Sequence, residues 1–219
     1  MLPRQPDGSR WAASTGPSTG VDGLPTLSTM PRWEPHAPQR LEQAALDLFT
    51  ERGYGETTVT DIAVRAGLTK SAVFRHYQDK REVLFGGDTA EGLLSHAVSG
   101  APADAPPLQA VARALDALGT DVFTSERRAF VTARRSLIAR TPELQEREAL
   151  KNLASTAILA EALVRRGAPH MTARVAAQLA ALAASIAEDE WLREPSTDFA
   201  RTARQVLADL THAASALSA

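Results

Sequence analysis

The chain has 219 residues, of which 44% are hydrophobic and 23% charged, and its formal net charge is -2. These values are ordinary for a globular protein of one large or two small domains. The chain contains no cysteine, which excludes disulfides and thiolate metal sites.

The first segment, residues 1–35, is rich in Pro, Gly, Ser and Thr and has no periodic apolar face. This composition predicts a disordered tail. Met30 could be the biological start, and the sequence leaves open whether residues 1–29 belong to the natural protein. The segment lacks the charged-then-apolar pattern of a secretory leader, so we expect a cytoplasmic protein.

An amphipathic helix is predicted from about Arg40 to Gly53, where the glycine ends it. Its apolar positions recur at helical spacing: Leu41, Ala44, Ala45, Leu48 and Phe49. We interpret it as a helix that supports the segment that follows.

A helix, a tight turn and a second helix come next. Thr58 and Asp61 supply a hydroxyl cap and an early carboxylate for the first helix, about Val59 to Ala66. Gly67 has the backbone freedom for a left-handed turn, and Thr69 can cap the second helix. The predicted arrangement is therefore helix, turn, helix.

Positive charge is concentrated on this segment. Val73 and Tyr77 can face inward, which leaves polar and cationic side chains on the outer face of the second helix. From Arg65 to Arg81 there are five cations and one acid, a local charge of +4. A third helix that starts after Asp79 would place two of these cations at a helix N-terminus, where phosphate would be favourable.

The pattern resembles the DNA-binding domain of the tetracycline-repressor (TetR) family of bacterial regulators over about Leu41 to Leu84. The resemblance implies an N-terminal three-helix DNA-binding domain and an all-helical C-terminal domain that dimerises and usually holds a small molecule. The residues that carry it are Thr58, Ile62, Ala63, Ala66, Gly67, Leu68, Thr69, Val73, Phe74, Arg75, His76, Tyr77, Lys80 and Leu84.

Two positions depart from the family pattern. Ala72 stands where the family commonly has Thr, which removes a possible hydroxyl contact. Phe74 stands where it commonly has Tyr, which removes a phenol that in relatives often reaches a phosphate. We therefore expect Phe74 to make an apolar contact only.

The outer face and the resemblance together predict the residues that contact DNA. Lys70, Ser71 and Arg75 are expected to read base edges in the major groove. The resemblance assigns phosphate contacts to Thr58, His76 and Lys80. The full predicted set is Thr58, Thr60, Thr69, Lys70, Ser71, Phe74, Arg75, His76 and Lys80. The alternative is a plain helical bundle without DNA contacts.

The rest of the chain predicts further helices and no strand, because no segment alternates with period two. The helix begun at Lys80 is expected to run past Gly86-Gly87 toward Leu94 or Val98, with either a break or a soft connection at the two glycines. The predicted fold is all-α with about nine or ten helices. It comprises a helix-turn-helix domain (36–85) and a C-terminal helical ligand-binding and dimerisation bundle (86–219). Later helices are expected at about 108–123, from Ser125, at 142–166, 172–192 and 197–217.

A small-molecule effector of unidentified structure is expected inside the C-terminal bundle. Few aromatic residues and many Ala and Leu favour an apolar ligand. The candidate lining residues are Phe123, Phe130, Arg134, Leu137, Leu153, Leu163, His170 and Trp191, each of which also fits an ordinary core or surface role.

A homodimer interface is predicted on the last two helices, where the resemblance implies a two-fold four-helix contact. Small residues let a second backbone approach closely. The alternative is an alanine-rich helix packed inside one chain. The predicted interface residues are Ala173, Ala177, Ala180, Ala184, Leu207 and Leu210.

No catalytic, metal or cofactor site is predicted. The five histidines are dispersed, and the sequence has neither a glycine-rich phosphate loop nor a nucleophile elbow. The most apolar run, 175–187, is too short for a bilayer, which needs about 20 residues. We expect a repressor that binds a near-palindromic double-stranded operator as a homodimer. An all-helical enzyme and a DNA-binding protein without a ligand remain alternatives.

Overall fold

Ten α-helices and one short 3-10 turn make up the residues that the computed structural model describes, which are 36–86 and 89–217. The predicted tail, residues 1–35, lies outside these ranges. Neither range contains a strand, and the predicted all-α fold class is confirmed. The helices are α1 (Ala37–Arg52), α2 (Val59–Arg65), α3 (Lys70–His76), α4 (Lys80–Leu84), α5 (Thr89–Ser99), α6 (Pro107–Asp121), α7 (Arg128–Ile138), α8 (Pro142–Arg165), α9 (His170–Arg193) and α10 (Phe199–Ala216).

The N-terminal helices pack around α1. This helix ends at Gly53, whose φ of 88° suits glycine and whose N–H donates to the Phe49 carbonyl at 3.1 Å. Their shared core is Leu41, Leu48, Phe49, Ile62, Val73, Val83 and Leu84, and it is completed from α7 and α8 by Leu137, Ile138 and Leu144. The later helices therefore contribute to the core of the helix-turn-helix segment.

The helix that begins at Lys80 ends before Gly86 and does not run on toward Leu94 as expected. It ends at Leu84, and Gly86 has a φ of 71°, a left-handed conformation that ends helices. A separate helix, α5, begins at Thr89.

Helices α5, α6, α8, α9 and α10 form the C-terminal bundle. At its core Phe123 stacks on Phe199, with ring centroids 4.0 Å apart, and meets Trp191 edge-on at 5.5 Å. A Cβ at Gly119 would lie 2.8 Å from that of Ala200, so glycine permits the close approach of α6 and α10. No helix in the described part of the chain is long and apolar enough to cross a bilayer.

Candidate nucleic-acid interface and ligand cavity

The first turn of α2 is fixed by a reciprocal capping box. The Asp61 N–H donates to Thr58 Oγ1 at 3.2 Å, and the Thr58 N–H donates to Asp61 Oδ2 at 2.9 Å. The side-chain and backbone hydrogen bonds from Thr58 hold the pKa of Asp61 below its ordinary value. The predicted cap is thus present, and the exposed Thr58 hydroxyl takes part in it.

The turn between α2 and α3 is held from α1. Gly67 has a φ of 67°, and a Cβ there would lie 2.8 Å from the Arg40 guanidinium. That guanidinium donates to the carbonyls of Ala66 and Gly67. Thr69 then caps α3, because its Oγ1 accepts from the Ala72 N–H at 3.2 Å. These contacts fix the direction of α3 relative to α2.

Helix α3 has one buried face and one polar face. Ala72, Val73 and Tyr77 are each at most 4% exposed. Two residues predicted to contact DNA are also exposed. Thr60 lies exposed on α2, and Phe74 is 50% exposed. Lys70 Nζ lies 5.8 Å from the centroid of the Phe74 ring. Six of the predicted DNA-contact residues are exposed on α3 or at its N-terminal cap: Thr69, Lys70, Ser71, Phe74, Arg75 and His76.

The five cations of this segment differ in their partners. Arg65 forms an ion pair with Glu51 at 2.7 Å, and Arg81 forms one with Asp79 at 2.8 Å. Lys70 and Arg75 have no ion-pair partner among the described residues. The positive charge available to a ligand is therefore concentrated on α3 itself.

Lys80, whose contact with phosphate stays a prediction, also holds a loop of the protein. Its Nζ donates to the carbonyls of Tyr54 at 2.7 Å and Thr57 at 3.0 Å. Two of its three donors hold the loop between α1 and α2, because the first turn of α4 lies against that loop. The structure thus gives Lys80 a positioning role.

A cavity of about 490 Å³ lies among α5, α6, α7, α8 and α9, a volume suited to a small molecule. Its two sides differ in chemistry. Helices α5 and α6 and the turn after α6 supply an apolar side, Leu94, Ala114, Leu115, Leu118, Val122 and Phe123. Helix α8 supplies a polar side, Gln145, Glu148, Lys151, Asn152, Ser155 and Thr156.

Of the eight predicted pocket residues, Phe123 and Arg134 line this cavity. Leu153 instead faces away from it and is 65% exposed, and His170 is exposed at the first residue of α9. The remaining four pack in the hydrophobic cores because they lie on the inward faces of their helices: Phe130, Leu137, Leu163 and Trp191.

Sequence reasoning missed the polar side of the cavity. Gln145, Glu148, Asn152 and Ser155 are spaced by three, four and three residues, so they share one face of α8. A polar face on a long helix of a bundle was the signal available. Such a face is usually solvated, and here part of it lines the cavity.

The alanines predicted at a dimer interface are instead buried within one chain. Ala173, Ala177 and Ala180 are at most 1% exposed, and Leu207 is 5% exposed. Ala184 and Leu210, both half-buried, pack against the same core. The small side chains allow α9 to pack closely inside the chain, which is the alternative interpretation of the stripe.

The outward surface of α9 carries other apolar residues. Met171 is 68% exposed, Val175 is 50% exposed and Leu182 is 48% exposed. Their spacing of four and seven residues places them on one face of the helix. We call Met171, Val175 and Leu182 the outer face of α9.

An ion-pair network joins α4 to the cavity. Glu82 of α4 has a side chain only 7% exposed, and it pairs with Arg147 and, at 3.4 Å, with Lys151. Lys151 also pairs with Glu91 at 3.2 Å. Since Lys151, Glu91 and Phe85 all line the cavity, the helix that follows α3 is in contact with the cavity wall.

Comparison with known families gives two matches on this chain. Residues 42–85 match the model described as bacterial regulatory proteins, tetR family. Residues 105–215 match the model described as the MftR C-terminal domain. Together the two matches span the helix-turn-helix segment and most of the C-terminal bundle.

Curated relatives match over a short part of this chain. The HTH-type transcriptional regulator SrpR of Pseudomonas putida is 44% identical over 46 residues, which are 21% of this chain and 22% of SrpR. The HTH-type transcriptional repressor BepR of Brucella suis is 42% identical over 40 residues, which are 18% of this chain and 19% of BepR. The chain thus covers about a fifth of the length of each of these relatives.

A solved structure supports the fold beyond that segment. Native NalD of Pseudomonas aeruginosa, described as the secondary repressor of the MexAB-OprM multidrug efflux pump, is 24% identical with a TM-score of 0.50. The alignment covers 80% of this chain and 95% of NalD. At this identity the likeness concerns the fold alone.

Proposed function

The chain belongs to the TetR family and is a transcriptional regulator, and from this premise we propose that it is a ligand-responsive repressor. It binds a near-palindromic operator as a homodimer in the cytoplasm, and a small molecule releases it. The observation that carries this proposal is the pairing of a cationic exposed face on α3 with a cavity in contact with α4.

Helix α3 enters the major groove in this proposal. Its buried face fixes its position, and its outer face presents Lys70, Ser71 and Arg75. The two long cations can reach guanine acceptors, and Ser71 can donate to or accept from either base pair. The chain has a net charge of -2, so the cations on α3 provide a local attraction for the DNA backbone.

Contacts to the DNA backbone fix the position of the protein along the duplex. Thr60, Thr69 and His76 lie exposed on or next to α3 and can donate to phosphates. Thr58 lies beside them, with its hydroxyl donating to Asp61 Oδ2 at 2.6 Å. Lys80 contributes by holding the loop that leads into α2. Phe74, which has no hydroxyl, provides an apolar contact.

A homodimer follows from the size of α3. The helix has seven residues and contacts too few base pairs for a specific regulator, so two copies bind successive major grooves. Their half-sites are about 10 base pairs apart, or a multiple of that. The outer face of α9 supports the assembly, because exposed apolar residues on one helix face are typical of a subunit contact.

The ligand acts through the cavity and α4. Phe85 follows α4 directly, and Glu82 on α4 is bound to Lys151 of the cavity wall. A ligand that prefers a different position of α4 changes the spacing of the two α3 helices. It then lowers DNA affinity by its differential affinity for the two states.

The experiment that tests this function maps the genomic binding sites of the protein. Compounds from the pathways encoded beside those sites are then titrated against the protein on its own operator. We expect a near-palindromic site and at least one compound that lowers DNA affinity. Sites without two-fold symmetry would contradict the dimer, and unchanged affinity with every compound would favour a ligand-independent regulator.

A further inference from the structure

Most ionisable side chains that line the cavity are paired with one another. Arg135 lies 3.3 Å from Glu188, and Lys151 lies 3.2 Å from Glu91. Such pairs leave little net charge for a ligand to neutralise. Of the ionisable residues that line the cavity, Arg134 and Glu148 are the two that form no ion pair within the described ranges.

Arg134 carries an unsatisfied buried donor. Its Nε is shielded from solvent and has no hydrogen-bond partner among the described residues. The guanidinium is always charged, and a buried charged donor without an acceptor is unfavourable. The side chain lines the cavity, so a ligand there can supply the acceptor.

Glu148 lies near this arginine, also in the cavity lining. Burial raises the pKa of its carboxyl, which the nearby Arg134 opposes and Glu188 reinforces. The carboxyl is thus easier to protonate in this cavity than in water. Whatever its charge, it leaves the Arg134 Nε without an acceptor.

The part of the cavity lined by α5 and α6 suits an apolar group. Leu94, Leu115 and Leu118 face it from α5 and α6, and Phe123 and Leu159 extend this surface. The cavity thus has a cationic donor at the side of α7 and α8 and an aliphatic surface at the side of α5 and α6.

We propose that the cavity binds an amphipathic anion, with a carboxylate-like group held by Arg134 and an apolar body against α5 and α6. This inference rests on the proposed function, since it names the chemical class of the effector for the same cavity. A cationic ligand is disfavoured, because it would lie beside Arg134 and leave its Nε without an acceptor.

Three probes that share one alkyl chain test the headgroup. Decanoate, decan-1-ol and decyltrimethylammonium are titrated into the full chain by calorimetry, below their micelle concentrations. We expect decanoate to bind once per chain and at least tenfold more tightly than the alcohol, with the ammonium weakest. No binding of decanoate, or equal or tighter binding of either other probe, would overturn the inference.

Substitutions of opposite expected sign identify the residues. Arg134→Gln should weaken decanoate binding at least tenfold and leave the alcohol unchanged, whereas Glu148→Gln should tighten decanoate binding. Arg140→Gln, at an exposed arginine just beyond α7, is the matched control and should change neither. If Arg134→Gln fails to fold, Arg134→Lys keeps the charge but removes Nε, and it should also weaken decanoate. Decanoate binding that ignores Arg134 overturns the inference.

The same probes on operator DNA separate this inference from the proposed function. If decanoate binds through Arg134 but leaves operator affinity unchanged, the ligand class stands and release by ligand fails. If a neutral or cationic compound binds this cavity and releases the protein from the operator, and decanoate does not, the proposed ligand-responsive function stands and the anionic ligand class is wrong.

Discussion

Lys80 and Tyr54 are joined twice, because Lys80 Nζ donates to the Tyr54 carbonyl at 2.7 Å and lies 4.0 Å from the centroid of its ring. A second bond, to the Thr57 carbonyl at 3.0 Å, makes this ammonium a clamp on the loop before α2. A cation at the edge of a DNA-binding surface thus has a partner inside the protein.

Lys80→Ala should therefore destabilise the protein by about 1–3 kcal/mol, because it removes charged hydrogen bonds to two carbonyls. Urea unfolding measures the loss, and Lys70→Ala, an exposed lysine on α3, is the control that should not change stability. DNA binding of Lys80→Ala should weaken on all sequences alike. Unchanged stability with a salt slope reduced by about 1 would instead identify Lys80 as a phosphate contact.

Arg75→Ala should reduce affinity for the operator by about 1–3 kcal/mol and relax the preference at one base pair per half-site. The reason is that Arg75 is exposed on α3 and has no ion-pair partner in the described residues. Arg65→Ala is the matched control, since Arg65 is paired with Glu51. The affinities of the variants are compared by titration on operator and scrambled DNA. Equal losses of affinity on both DNAs would show that Arg75 contacts the DNA backbone.

If the protein is the proposed homodimer, Val175→Asp should yield a monomer while the chain stays folded, because Val175 is 50% exposed on the outer face of α9. Ala180→Asp should behave differently. It places a carboxylate at a position that is 1% exposed, which should cost more than about 3 kcal/mol of stability. Light scattering and thermal unfolding separate the two effects. A folded monomer from Ala180→Asp would restore the alanine stripe as the interface.

Glu82→Gln should uncouple the cavity from α4. The buried carboxylate pairs with Arg147 and Lys151, and its removal should cost about 3 kcal/mol of stability. The remaining folded protein should bind operator but respond less to the effector. Glu146→Gln, at an exposed glutamate on α8 beside Arg147, is the control. An undiminished response in Glu82→Gln would place the coupling elsewhere, such as Phe85.

Glu148→Gln should stabilise the unliganded protein at pH 7. Burial raises the pKa of Glu148 above its ordinary value of 4.5, so its ionisation costs the folded state more than the unfolded chain. The cost is fully present above the folded pKa and disappears as the pH falls through it. The stability difference between variant and wild type should therefore vanish below about pH 4. A difference independent of pH would show that packing, and not charge, is responsible.

The helices and their caps could be predicted because they depend on local sequence. Thr58 and Thr69 cap α2 and α3 as their positions predict, and α4 ends just before Gly86. The helix predicted to start at Ser125 is an exception: Ser125 lies in a 3-10 turn, and α7 begins at Arg128 without a side-chain cap. That detail depends on how α7 joins the bundle and leaves little trace in the sequence.

What the sequence left undetermined is which surface each face of a helix meets. The alanine stripe of α9 could pack against another chain or against helices of the same chain, because small residues favour close packing in both cases. Charge is limited in the same way as a predictor of contacts. A lysine suggests an anionic partner, but Lys80 donates to two carbonyls in a loop 23 and 26 residues earlier in the chain. The cavity side of α8 required the three-dimensional arrangement of five helices.

The core of the helix-turn-helix segment bears on how regulators of this kind can be recombined. Leu137, Ile138 and Leu144 are at most 2% exposed and complete that core from α7 and α8. A hybrid that grafts residues 36–86 onto the sensing region of another regulator would lose these three side chains and expose apolar surface at the junction. A working chimera needs matching residues at the end of its own α7 and the start of its own α8, so the transferable unit is larger than the helix-turn-helix segment.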